Sequence, residues 1–259
     1  MKRRLVEMRW LDALFAHWRV DPATVDRRLP AALSAATHDG DAYLGVVAFE
    51  MEDIRPRGAP FGFTFPELNL RTYVTDGDTR GIYFFNLDAD DPFSVGVARL
   101  LFQLPYYRAS MDVTRDGDRV TVRSSRAHRG AAPAELDATY GPAGGTRRVE
   151  PGSLESFLVE NYRFYTDGRG GVYYGDIAHE PWPLAPADCE VRTNGLFEAN
   201  GFAEPDGGPL LHYSPGVDVT ADRIRRLGTD AADDGAGSGA EPGSGRDSGV
   251  DVPVDDVAD

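Results

Sequence analysis

Phe65-Pro66-Glu67-Leu68-Asn69-Leu70-Arg71-Thr72-Tyr73-Val74 has the alternation of a β-strand. Side chains of a strand point to opposite faces in turn. Leu68, Leu70, Thr72 and Val74 therefore share one face, and Glu67, Asn69, Arg71 and Tyr73 share the other. The second face carries an acid, an amide, a guanidinium and a phenol, with no aliphatic residue among them. Glu67 and Arg71 stand about 13 Å apart along such a strand, too far for a simple neighbouring ion pair and suited to gripping two ends of a small molecule. Periodicity alone fits two arrangements: a half-solvated antiparallel strand with this face outward, or a polar row turned into a pocket.

Working outward, turn and strand signals dominate. Met8–Trp18 is apolar and aromatic and reads as a strand or a short helix, with His17 inside it. Asp21-Pro22 reads as an N-cap followed by proline at the first helical position, opening a helix that ends by Pro30. Ala42–Ile54 reads as a long strand, and Arg55–Thr64 as a Pro/Gly loop. Asp76-Gly77-Asp78 turns the chain into a strand over Gly81–Leu87. Asp91-Pro92 opens a helix whose apolar face is Phe93, Val97, Leu100, Leu101 and Leu104, and Pro105 ends it. Strands follow over Tyr106–Thr114, Arg119–Arg126, Glu135–Tyr140 and Thr146–Glu150. Ser153 caps a helix from Leu154 to about Tyr162. A hairpin joins Arg163–Thr166 to Val172–His179, Glu180–Pro186 is extended, and Leu210–Tyr213 and Val217–Ala221 are final strands. Many strands, few helices and no βαβ alternation predict an α+β fold with a mainly antiparallel sheet, either open or closed into a barrel, with two or three flanking helices.

Composition bounds the partners. The chain has 259 residues and a formal net charge of −15, so it repels nucleic acid phosphates and anionic membranes; neither is an expected partner. Its one lysine is Lys2. Excess carboxylate with scarce lysine resembles a halophilic acidic surface. Residues 228–259 hold nine acids and one arginine among Gly, Ser, Ala and Pro, a composition that predicts an acidic disordered tail after a single domain over 1–227. The one cysteine, Cys189, permits no internal disulfide, which fits a reducing, cytoplasmic compartment. Met1-Lys2-Arg3-Arg4 mimics a signal peptide, but Glu7, Arg9 and Asp12 interrupt the apolar segment that would have to follow.

Several chemistries lack their motifs. There is no Walker A sequence, dinucleotide glycine fingerprint, H-E-x-x-H or G-x-S-x-G. The histidines 17, 38, 128, 179 and 212 are scattered, so no metal and no cofactor is expected.

Five motifs, in order, resemble the YqjF-like family of uncharacterised proteins, placed among acetoacetate-decarboxylase-like folds: Arg9-Trp10 through Phe15-Ala16-His17-Trp18; Phe65 to Val74; Leu87-Asp88-Ala89-Asp90; Leu104-Pro105-Tyr106-Tyr107; and His179-Glu180-Pro181-Trp182-Pro183-Leu184. The resemblance covers roughly residues 8 to 225. It implies a cone-like antiparallel barrel with a deep pocket. In the decarboxylases a lysine there forms a Schiff base, its pKa lowered by a neighbouring cation. In the matching stretch of this chain, Phe102-Gln103-Leu104-Pro105-Tyr106-Tyr107, two tyrosines stand where the lysines would be, so the fold carries over and amine catalysis does not. The resemblance also matches Glu67 to the family's conserved glutamate. The parent superfamily assembles, so a homo-oligomer such as a dimer is plausible.

Two functions follow as expectations. In the first, an enzyme performs lyase- or isomerase-type acid/base chemistry on a small oxo acid without a Schiff-base lysine. Glu67 is its acid or base, Arg71 clamps a carboxylate, Tyr106 and Tyr107 donate hydrogen bonds, Asn69 and Tyr73 orient the substrate, and His17 assists. In the second, the same residues serve a non-catalytic binder or sensor of small organic molecules. A third reading is a buried polar row that only satisfies itself.

Overall fold

The computed structural model describes residues 5–90 and 103–228. The strands are β1 (Val6–Val20), β2 (Ser34–Ala35), β3 (Ala42–Pro56), β4 (Phe63–Thr75), β5 (Arg80–Ala89), β6 (Tyr106–Asp116), β7 (Arg119–Arg126), β8 (Glu135–Pro142), β9 (Arg163–Gly168), β10 (Gly171–His179), β11 (Ala185–Asn194), β12 (Leu210–Ala221) and β13 (Arg225–Arg226). Three short helices accompany them among the described residues: α1 (Pro22–Asp26), α2 (Leu154–Val159) and α3 (Leu196–Ala199). The helix expected from Pro92, Lys2 and the acidic segment from 229 onward lie outside the described residues.

The order β12-β1-β3-β4-β5 forms one curved sheet, and β6-β7-β8-β11 returns from β5 to β12 to close a mixed, mostly antiparallel barrel of nine strands. β9 and β10 bridge β5 to β12 a second way. The two edge strands divide their length between these closures. Ile82 and Tyr83 of β5 pair with β9, whereas Leu87–Ala89 pair with β6. Val219–Ala221 of β12 pair with β10, whereas His212 and Tyr213 pair with β11. The shared sheet therefore has a core on each side. Leu68 and Leu70 pack with Val46, Val122 and Leu136 in one core. Phe65 and Tyr73 pack with Phe15, Val47, Phe157 and Phe164 in the other. β4 is buried on both faces, and the reading with a wet outward face gives way to one with an enclosed polar row.

Bulges make this possible. Strict alternation would set Met8 and Trp10 on the face opposite Phe15 and His17. The register of β1 against β3 shifts between Leu11 and Leu14, and Asp12 takes a left-handed φ of 50°, a conformation that Asp tolerates better than most residues. Its carboxylate accepts from Arg115 Nε and the Tyr213 hydroxyl, both at 2.7 Å. The extra residue re-aims the chain, so Met8, Trp10, Ala13 and Phe15 share one face. A second shift, where Leu70 pairs with Asn86 and Arg71 with Phe84, leaves Phe85 unpaired and brings Phe84 and Leu87 to that same face.

The caps follow the sequence. The Asp21 carboxylate accepts from Ala23 N at 2.8 Å, and Ser153 Oγ accepts from Ser156 N at 3.1 Å. Other expectations change. α2 stops at Val159 because Glu160 leaves helical geometry. Thr146–Glu150 is not a strand; Arg147 makes only an isolated bridge to Leu184. Leu210–Tyr213 and Val217–Ala221 are one strand, continuous through Gly216, where φ is 135° and a Cβ would lie 2.2 Å from the Trp10 carbonyl. β11 and α3 carry no apolar stripe that periodicity could find: β11 is tied to β7 and β8 by ion pairs such as Arg119–Asp188 and Arg192–Asp137.

The Leu68 face of the shared sheet carries a buried ion pair. Arg126 donates from Nε and Nη2 to both Asp88 oxygens at 2.8 Å, and both side chains are almost fully buried. Removing one partner strands a charge in a low dielectric. Arg126→Met is expected to lower unfolding stability by about 3–5 kcal/mol in urea melts, and Asp88→Leu added to it is expected to restore most of the loss. A double variant no more stable than the single one would show that the pair is not what the site depends on.

Candidate functional site

A cavity of about 180 Å³ lies between the shared sheet and β9–β10, on the face opposite Leu68 and Leu70. Cross-strand pairing arranges its wall in rows. The row of Arg71 runs through Gly45 to His17, and the next through Asn69, Val47 and Phe15. Then come Glu67 with Phe49, Phe65 with Met51 and Trp10, and finally Phe63 with Ile54. The Arg71 end is sealed, since His17 and Tyr73 are fully buried beneath it. Phe157 of α2 packs on Tyr73 with ring centroids 5.1 Å apart. The Phe63 end opens to solvent, with Phe63 48% exposed.

Glu67 sits at the middle of this gradient. Its Oε2 accepts from the Tyr106 hydroxyl at 2.6 Å and its Oε1 from Asn69 Nδ2 at 3.2 Å. Burial pushes its carboxyl up to about 7 from an ordinary 4.5; the two hydrogen bonds and the charge of Arg71 act the other way and do not cancel it. Burial, reinforced by the charge of Glu67, holds the Tyr106 phenol well above its usual value, so Tyr106 remains a donor.

Arg71 makes no ion pair with any described carboxylate, and its Nε is buried without a hydrogen-bond partner. Its Cζ lies 5.4 Å from the centre of the Phe15 ring. The guanidinium also lies beside the Tyr73 hydroxyl, whose pKa burial raises and the charge and side-chain hydrogen bond of Arg71 act to lower. Asn69 Oδ1 and Trp10 Nε1 are also buried and unpartnered. Buried polar groups are nearly always satisfied; here two donors and an acceptor, all from residues that line one cavity, lack partners. Among the described residues no cluster of His, Cys, Asp or Glu could hold a metal ion.

The structure gathers Glu67, Asn69, Arg71 and Tyr106 on the cavity wall. Tyr73 and His17 stand behind it. The Tyr73 hydroxyl donates its one proton to the Leu158 carbonyl at 2.6 Å. His17 Nε2 must then donate to the Tyr73 oxygen, 2.6 Å away. Burial, with Arg71 and His212 nearby, drives the His17 pKa well down, so the ring is a neutral support rather than an acid. Tyr107 does not reach the cavity. It follows Tyr106 in a strand and points to the opposite face, under Arg126 (Cζ 4.5 Å from its ring centre) and against His128. The expected pair of phenols is a single phenol. The aromatic wall, Trp10, Phe49 and Trp182 among it, carries no signal in a single sequence that separates a cavity lining from a core, although Trp10 and Trp182 fall within the motifs quoted above.

Glycine at 45 is required by close approach: a Cβ there would lie 2.9 Å from His17 Cδ2 and 3.5 Å from Arg71 Cγ. It gives both side chains room on the same row.

With this geometry in place, comparison with known proteins is informative. The family DUF2071, described as an uncharacterized conserved protein, matches residues 7–218. The chain belongs to that family. It is 39% identical over 218 residues to the uncharacterized protein YqjF of Bacillus subtilis (strain 168), an alignment spanning 83% of this chain and 89% of YqjF. Solved structures with the same fold include an acetoacetate decarboxylase-like enzyme from Sphingomonas wittichii RW1, at TM-score 0.57 and 18% identity, covering 87% of this chain and 94% of that one. The enduracididine biosynthesis enzyme MppR complexed with pyruvate aligns at TM-score 0.60 and 12% identity, over 88% and 91% of the two chains. At these identities the likeness is one of fold: the acetoacetate-decarboxylase-like barrel.

The raised pKa of Glu67 has a consequence for stability. Folding raises the pKa, so the group favours the folded state below about 4.5, and that contribution is lost as pH rises through about 7. The loss is at most about 3 kcal/mol. Glu67→Gln, which keeps an acceptor for Tyr106, is expected to be more stable than the wild type at pH 8 and to lose that advantage by pH 5. Urea melts at the two pH values check this; the same pH dependence in both proteins would show that Glu67 ionises as a solvated group.

Proposed function

We propose that the cavity binds a small oxo acid by its carboxylate at Arg71, and that Glu67, with Tyr106, moves a proton at a carbon next to the substrate carbonyl. The observation that carries this reading is a buried guanidinium without a carboxylate partner among the described residues, two rows along β4 from a glutamate poised near neutrality. A general acid/base works best with its pKa near the operating pH. As a carboxylate, Glu67 takes the proton; the Tyr106 hydrogen bond steadies the carboxylate before transfer. The developing enolate oxygen lies between the carboxylate on Arg71 and the carbon facing Glu67, within the region of the Asn69 amide. Protonated Glu67 returns the proton to the same carbon or to its neighbour, which is isomerase- or lyase-type chemistry. Amine catalysis has no candidate on this wall, since the only lysine of the chain is Lys2.

One observation favours a non-catalytic binder instead: both Glu67 oxygens already hold hydrogen bonds. The two readings separate in one experiment. Exchange of the carbon-bound protons of an oxo acid with D₂O, followed by NMR, is expected to be accelerated by the protein. Its kcat/KM should rise with pH up to about 7 and level off above, because only ionised Glu67 is a base. Glu67→Gln is expected to cost roughly 10²–10⁴-fold while binding persists. Ligand binding in thermal-shift assays with no exchange in the wild type would establish the binder.

Arg71→Met is expected to weaken acid binding by about 1.5–3 kcal/mol, the range for a hydrogen bond to a charged group. Titration calorimetry reads this directly, and an unchanged affinity would place the carboxylate elsewhere.

A further inference from the structure

We infer that the ligand is an oxo acid with an apolar tail of at least six carbons or one aromatic ring, bound carboxylate-first with the tail towards the mouth. This rests on the reading above and adds the substrate class. The polarity of the cavity is ordered along β4. Arg71, Asn69 and Glu67 occupy the sealed half, joined there by Tyr106. Beyond Glu67 the successive rows are Phe65 with Met51 and Trp10, then Phe63 with Ile54, in which the indole Nε1 of Trp10 is the one side-chain nitrogen or oxygen. Ala221 pairs with Val6 at the same end, and both line the opening. Arg55, the one charged side chain lining that end, is occupied by Asp53 and Glu7.

An acid as small as pyruvate leaves this half empty. Its carboxylate on the guanidinium and its carbonyl beside Asn69 reach only to the Glu67 row. Apolar wall facing nothing forfeits the burial that a longer ligand would supply. The size sets a bound: an apolar cavity of roughly 150 Å³ holds one benzene, and this one measures about 180 Å³ with an open end, so the end of the tail stands in the mouth.

The order of groups fixes the connectivity as well. Carboxylate, carbonyl, acidic carbon and tail must follow one another from Arg71 to Phe63. A 2-oxo acid has that sequence, with carbon 3 as the carbon that faces Glu67. The step balances as an enolisation: the C3–H bond breaks, the proton goes to a Glu67 oxygen, the electron pair forms the C2–C3 double bond, and the charge moves to the carbonyl oxygen.

The test is a binding series on the full chain: pyruvate, straight-chain 2-oxo acids up to ten carbons, phenylpyruvate, and the primary alcohols of matching length. Affinity is expected to rise about fourfold per added methylene until the tail emerges at the mouth, with phenylpyruvate far tighter than pyruvate and the alcohols weak. Ala221→Leu, which fills the mouth end, is expected to flatten the series while leaving pyruvate unaffected. Arg71-dependent binding in which pyruvate matches the longer acids would overturn the tail while leaving the function proposed above intact. Acids that fail to bind at any length would sink both. Alcohols binding as tightly as the acids would overturn the carboxylate-first order, and an Ala221→Leu variant with the full chain-length dependence would move the tail away from this opening.

Discussion

A strand has only two faces, and here both faces of β4 are covered, one by the barrel's core and the other by the core under β9 and β10. Leu68 and Leu70 meet one core, so the residues between them are committed to the other side, whatever their chemistry. Placing Glu67, Asn69 and Arg71 there is unfavourable: an isolated polar group transferred out of water costs several kcal/mol unless it finds a partner. Their neighbours on the same face, Phe65 of β4 and Val47 and Phe49 of β3, show that apolar side chains fit these rows. Tyr106 satisfies one oxygen of Glu67, and Asn69 the other. Nothing satisfies Asn69 Oδ1 or Arg71 Nε. A polar row maintained purely for stability would close its own hydrogen bonds, since a partly satisfied buried network is worse than an apolar one. This row stops short of closure at the atoms that line the hollow.

The shared fold and the local chemistry carry different information. The barrel of the acetoacetate-decarboxylase-like structures supplies an enclosed volume reached from one end. Which groups look into that volume is set residue by residue, and a fold does not transmit a reaction. In this chain the polar groups of the wall come from alternate positions of one strand and from the first residue of β6. The register of β5 with β6 pairs Leu87 with Tyr106, which sets Tyr106 level with Asn69, one row from the Glu67 that its phenol reaches.

The sequence disclosed this arrangement unevenly, for reasons that lie in particular residues. β4 alternates without a break, so its faces could be assigned before any coordinates. β1 could not be typed, because the bulge at Asp12 puts Trp10 and Phe15 on one face at an odd spacing, which neither a strand nor a helix period produces. β11 escaped because ion pairs hold its outward side chains. The site was legible where it followed from alternation, as with Glu67, Asn69 and Arg71. It was misjudged where two adjacent residues were given one role: Tyr106 and Tyr107 cannot face the same way in an extended chain. Depth was invisible. Tyr73 belongs to the polar row by parity, yet α2 lies over it, and a helix packed from eighty residues away leaves no mark on the strand it covers.

The two-residue steps between Glu67, Asn69 and Arg71 also explain why the acid and the cation do not cancel. Had the guanidinium closed on the carboxylate, the pair would resemble Asp88 with Arg126 in the other core: mutually satisfied, immobile, and of no use to a ligand. Inserting Asn69 between them lets burial dominate the pKa of Glu67, with Arg71 contributing less than the hydrogen bonds from Tyr106 and Asn69 do. The aromatic ring of Phe15 holds the guanidinium by a weaker, non-neutralising contact. Acid and cation are thereby kept within reach of one small molecule and out of reach of each other. A bound carboxylate would complete the circuit: it neutralises Arg71, brings a second negative charge near Glu67, and so favours the protonated form of the acid. Under the proposed function, binding and proton uptake are coupled, and the coupling depends on the asparagine that keeps the charges apart.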